Sequence, residues 1–162
     1  MLTSRDRILT THVGSLPRND ELSDMLVRRE AGEAFDAGML AAEMDQAVQH
    51  VVKKQAEAGI DIGNDGEQQR VGFQTYVPQR MSGFAGVSKR RRGMDFEFFP
   101  ELVKYLTHRF PHVSKQQNAP EAQAEIKYLD IKPLESEIAR FKKIAQGKFS
   151  ELFMTAPSPG ST

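Results

Sequence analysis

The strongest pattern along the chain is a helical period between Met39 and Ala58. Leu40, Met44, Ala47, Val48, Val51 and Val52 recur at spacings of three and four, which gathers them on one face of a helix. Glu43, Gln46, Gln49 and Lys53 fall mostly elsewhere. Gly59 is placed to stop this helix, because glycine adopts the left-handed conformation common just past a helix C-terminus. A second apolar stripe, Leu134, Ile138, Phe141 and Ile144 or Ala145, predicts a helix from Pro133 to Ala145, with proline suited to its first turn and Gly147 ending it. A shorter helix is predicted through Glu21 to Arg29, with Asn19 or Asp20 as its cap.

Four other runs read as strands. Arg7 to Val13 is rich in β-branched residues and leads into the turn-forming Gly14-Ser15-Leu16-Pro17-Arg18; Ile60 to Ile62 leads into a polar turn through Glu67. Glu125 to Ile131 alternates, and Ser150 to Thr155 follows the last helix. From Gln68 to Phe99 the period weakens, with glycines interleaved with Phe73, Tyr76, Phe84, Phe96, Phe98 and Phe99, as in a hairpin or an aromatic-bearing insertion. Pro100 to Phe110 reads as a short helix stopped at Pro111, and Ser114 to Ala124 as a polar linker. The alternation of strands and helices predicts an α/β fold of about four parallel strands, with an insertion at about residues 68–124 after the second. The whole of residues 1–162 is expected to be one domain, with no second domain.

Composition narrows the function classes. Lys plus Arg number 22 and Asp plus Glu 22, so no excess positive charge marks the chain as a binder of nucleic acid or anionic membranes. No stretch approaches the roughly 20 apolar residues that span a bilayer, and Met1 to Thr11 lacks the apolar core of a secretory signal. A cytoplasmic location is therefore expected. There is no Cys, which rules out disulfides, thiolate metal ligands and a cysteine nucleophile from this chain.

Candidate chemistry sits in three loops at predicted strand ends, where parallel α/β folds gather their ligands. Ser15 and the amides around Gly14 can hold a carboxylate, or Gly14-Ser15 is only a tight turn. Glu67 beside Asp65 can bind an ammonium group or act as a base, or the pair belongs to a solvated Asp-Gly turn. His12 is either an acid/base or ligand group or a hydrogen-bonded structural histidine. Thr155 opens the third loop, Thr155 to Ser158. His108 and His112 have the four-residue spacing of a metal pair, but Pro111 breaks the turn they need, so both are expected at the surface. Lys89 to Arg92 is either a polyanion contact or a solvated loop, and Phe73, Tyr76 and Phe84 either stack on a flat heterocycle or pack a core.

Three segments taken together, T-T-H-V-G-S-L-P-R at Thr10 to Arg18, A-G-I-D-I-G-N-D-G-E-Q-Q-R-V-G-F at Ala58 to Phe73, and M-T-A-P-S-P-G-S-T at Met154 to Thr162, resemble the cobalamin-independent methionine synthase family in its short single-barrel form. The resemblance implies the N-terminal half of a (β/α)8 barrel. It implies methyl transfer from 5-methyltetrahydrofolate, as the polyglutamate, to the thiol of homocysteine, giving methionine, with zinc activating the thiol. Substrate-binding roles carry over to Val13, Gly14, Ser15 and Glu67, with His12, Asp65 and Thr155 as pocket-lining residues and no catalytic residue in this stretch. The family's zinc ligands, a His and Cys pair, a carboxylate or further Cys, and a later Cys, have no counterpart here and are expected beyond Thr162. A full barrel needs about 250 residues, so the chain is expected to be a truncated half that binds no catalytic zinc and is inactive alone. Two other readings are a non-catalytic amino-acid-binding module and a related barrel methyltransferase with another acceptor, such as coenzyme M.

Overall fold

The computed structural model describes residues 2–89, 93–109 and 120–157. In chain order the elements are α1 (Asp20–Glu30), α2 (Ala37–Glu57), β1 (Ile62–Gly63), α3 (Phe73–Tyr76), β2 (Phe84–Ala85), α4 (Met94–Phe98), α5 (Pro100–Arg109), β3 (Glu121–Ala122), α6 (Lys132–Ala145) and β4 (Glu151–Leu152). They fall into two compact units. One takes in the chain up to Val71 and from Ile131 onward; the other is Gly72–Asp130.

In the first unit α1 starts where Asn19 accepts a hydrogen bond from the Leu22 amide at 2.7 Å, and α2 where Asp36 accepts from Met39 at 2.9 Å. Each cap occupies an amide that the helix itself leaves unpaired. The apolar face of α2 serves two partners. Leu40 and Met44 join Leu22, Met25, Leu26 and Val27 of α1, with Val71, in one core cluster. Val48 and Val52 join Phe141 and Ala145 of α6 in another, flanked by Ile144, Phe149 and Met154. Burial of side chains this size contributes about 1.5–3 kcal/mol each.

The sheet of this unit is parallel. Ile62 and Gly63 pair with Glu151 and Leu152, and Thr11 forms a parallel bridge to Ile62 on the other side. Segments from the start, middle and end of the unit therefore lie side by side in chain order, as successive βα units do. The Phe149 ring packs on Gly63 so closely that a Cβ there would stand under 3.0 Å from it.

The second unit holds an antiparallel ribbon. Phe84 and Ala85 pair with Ala122 and Glu121, and Met81 bridges Tyr128. This corrects the expectation of four parallel strands: the run from Glu125 to Ile131 contributes its one bridge to the antiparallel ribbon. Its alternation gives strand tendency but carries no information about direction, which is set by pairing. Tyr76, buried, meets Phe73 edge to face at 6.3 Å and lies under the Arg80 guanidinium at 3.5 Å, so these rings pack within their own unit. No helix among the described residues is long and apolar enough to cross a membrane.

Candidate functional site

Asn64 to Arg70, a stretch with no apolar side chain, is buried throughout. Buried polar groups are costly unless paired, and here the pairing is dense. Gln55, on the inward face of α2, donates to the Asn64 carbonyl at 2.8 Å and accepts from the Asn64 amide at 3.1 Å, standing in for a neighbouring strand. The Asn64 side chain donates to the His12 carbonyl and accepts from the Gly66 amide at 2.8 Å. Asp65 accepts from the Glu67 amide at 3.1 Å and from Arg70 Nη2 at 2.9 Å, with both members of this ion pair at most 2% exposed. Asp65-Gly66 is thus not a solvated turn.

This packing turns the chain sharply. Gly66 (φ 59°) and Glu67 (φ 57°) are consecutive left-handed residues, and Glu67 is the one described non-glycine residue with positive φ. Glutamate pays about 1–2 kcal/mol in that region, and the result aims its carboxylate at the first and third strand-end loops. Ser15 Oγ donates to Glu67 Oε2 at 2.5 Å. Thr155 Oγ1 donates to Glu67 Oε1 at 2.8 Å. The structure therefore brings together Ser15, Glu67 and Thr155, with one hydroxyl on each carboxylate oxygen.

Gly14 is left-handed as well (φ 101°) and turns the first loop back toward Gly66, whose carbonyl accepts from the Leu16 amide at 3.0 Å. Gln68 Nε2 donates to the Leu16 carbonyl at 2.7 Å. Arg18 reaches across from the same loop: Nη1 donates to the Glu67 and Arg70 carbonyls, each at 2.7 Å, and Nη2 to the Val71 carbonyl at 3.3 Å. Burial pulls the Arg18 guanidinium below its ordinary pKa, while the Glu67 charge opposes that fall. Arg70 Nη1 donates to the Thr155 carbonyl at 3.2 Å, tying the third loop to the second.

The remaining sequence candidates sit as follows. His12 Nε2 lies 3.0 Å from the Gly14 carbonyl. A carbonyl only accepts, so Nε2 carries the proton and His12 is fixed to its own loop. Val13 is 69% exposed. Asp65 faces Arg70, Gln69 and the Glu67 amide. His108 lies at the exposed end of α5; His112, Arg90 to Arg92 and Ser158 onward lie outside the described residues. Among the described residues no three His, Asp or Glu side chains gather as a metal site, so the donor set present does not fit zinc.

Arg18, Gln55 and Arg70 are the parts that the sequence did not single out. Gln55 left a readable trace, a polar residue continuing the apolar series Met44, Val48, Val51, Val52. Arg18 and Arg70 fall within the segments that carry the family resemblance, but nothing local distinguishes an arginine that binds main-chain carbonyls from a solvated one.

The profile of the cobalamin-independent synthase catalytic domain matches residues 8–94, somewhat more than half of the chain. A methionine synthase of Sulfolobus acidocaldarius is 37% identical over 75 residues, which is 46% of this chain and 22% of that protein. The chain thus spans about a fifth of that relative's length over the aligned region.

Proposed function

Because the chain belongs to the cobalamin-independent synthase family by its catalytic domain, we propose that it supplies the amino-acid-binding part of a methyltransferase acting on the thiol of homocysteine. The observation that carries this reading is the convergence of Ser15, Glu67 and Thr155 from three loops. A carboxylate offers about four lone-pair sites, so Glu67, holding two hydroxyls, keeps acceptor capacity for an ammonium group. The Gly14-Ser15 turn suits the substrate carboxylate. With both ends of the amino acid held, its side-chain sulfur is directed away from the loops, which is the orientation a transfer step needs.

In the reaction proposed, the thiol gives up its proton, the sulfur bonds to the methyl carbon as that carbon leaves N5 of the methyl-folate, and N5 takes up one proton, so that the reaction as a whole neither releases nor consumes protons. Zinc, which the family resemblance implies, would supply the acidification of the thiol, and no residue described in this chain is assigned to hold it. The isolated chain is then a binder without turnover. The same convergence of three loops also accommodates a second reading, a module that binds the amino acid and catalyses nothing. An acceptor without an ammonium, such as coenzyme M, would leave Glu67 without its partner.

Calorimetric titration of the full chain with L-homocysteine or L-methionine tests the proposal. Submillimolar binding is expected, weakened at least tenfold by Glu67→Gln, since a hydrogen bond to a charged group contributes about 1.5–3 kcal/mol. Absence of binding to the folded chain, or equal binding by the variant, would overturn it.

A further inference from the structure

Glu67 holds a conformation that glutamate disfavours. Such a residue persists only where its surroundings over-determine it. Ser15 and Thr155 hold its side chain and Asp65 its amide, while its carbonyl accepts from Arg18 Nη1 at 2.7 Å and, at 3.4 Å, from the Arg70 amide. The Arg18 guanidinium also binds the carbonyls of Arg70 and Val71, so one planar group spans the stretch from Glu67 to Val71 from outside the loop. Each of these three bonds goes to a main-chain carbonyl. Its donors are spent on the path of the main chain.

We propose that Arg18 is a positioning residue that locks Glu67 in its left-handed conformation and so sets the direction of the Glu67 carboxylate. The chemistry calls for arginine in particular. Three carbonyls separated along the chain require donors in a rigid fork, and lysine offers a single compact ammonium that cannot hold that geometry. Arg70 complements it by fixing the Thr155 carbonyl at 3.2 Å, which keeps the Thr155 hydroxyl on the other side of Glu67.

The first test needs no ligand. Amide hydrogen exchange in the full-length Arg18→Lys chain is expected to speed up at least tenfold at Gly66, Glu67 and Gln68, with Val48, Val51 and Val52 of α2 unchanged within twofold. Loop amides as protected as in the parent, or equal loss of protection in α2, would overturn the proposal. A denaturant cycle covers a variant too unstable for exchange. Arg18→Lys should lower the folding equilibrium constant at least tenfold in the parent but less than threefold beside Glu67→Gly, where no left-handed glutamate remains to be held; equal losses in both backgrounds would refute the locking role. A ligand measurement rests on the amino-acid reading above. Arg18→Lys should weaken L-methionine at least tenfold and leave 4-(methylthio)butanoate, which lacks the ammonium, unchanged. Equal weakening of both would count against a role exerted through Glu67, whereas an unaffected Glu67→Gln would overturn the amino-acid reading and leave the exchange result to decide Arg18.

Discussion

Asp61 shows how one side chain can anchor a strand that has little pairing of its own. It accepts from the Thr10 amide at 2.8 Å and the Thr10 hydroxyl at 3.0 Å, and pairs with Arg7 through Nη1 at 2.8 Å and through Nη2. The Arg7 hydrogen bonds first, and the Thr10 amide second, hold its carboxyl well below the usual carboxylate range. Its folded pKa is lower than the unfolded value of about 3.9, so the contribution is complete above that value and is lost as pH falls below about 4. The stability difference between the parent and Asp61→Asn should therefore be constant near neutrality and shrink on acidification. Melting temperatures of both proteins from pH 7 to pH 3 check this, and a gap that widens toward low pH would reject it. Gly63 is a second single-residue case. Gly63→Ala forces Phe149 aside, with an expected cost of about 1–3 kcal/mol in urea unfolding; an unchanged midpoint would show that the ring moves freely.

At the scale of elements, α2 both packs and substitutes for pairing. Its apolar residues hold α1 and α6, and Gln55 completes the hydrogen bonding of Asn64 beside β1. Gln55→Leu keeps the apolar face but strands a buried amide and carbonyl. Each unsatisfied group costs about 1–3 kcal/mol, so urea unfolding should show a loss of that order or more, larger than that of the exposed Gln49→Leu. Similar losses at both sites would mean that Asn64 finds another partner. The contrast also shows what the sequence made legible. α1, α2, α5 and α6 were readable within a residue or two because caps and a 3.6-residue period are local. The run from Glu125 to Ile131 was misassigned because parallel and antiparallel strands share the same alternation. Ser15, Glu67 and Thr155 were readable as members of three strand-end loops that share one ligand region, but not as hydrogen-bond partners; that depends on the parallel order of the three segments and on the left-handed turn at Gly66 and Glu67. Glu137 was hidden for a related reason. It lies inside the apolar stripe of α6, buried, with its carbonyl 3.4 Å from Gln69 Nε2, a place that periodicity assigns to a hydrophobic side chain.

At the scale of the whole chain, the first unit has the hydrogen-bonding order of successive βα units but little sheet to go with it. Parallel sheets are stable when both faces are covered. Here Ile8 is 82% exposed, Val13 69% and Leu152 37%, all in or next to the segments that form the parallel pairings. Surface of this kind is what a protein covers with further structure, whether from the same polypeptide or another. The 162-residue chain alone should consequently bind a dye specific for apolar surface and show a weight-average mass rising with concentration in sedimentation equilibrium. Replacing Ile8 and Val13 by Thr and Leu152 by Gln should reduce both effects while leaving the amides of α2 protected. A parent chain that stays monomeric at tens of micromolar without binding the dye would mean that these side chains are tolerated in water as they stand, and that the unit is self-sufficient in the form described.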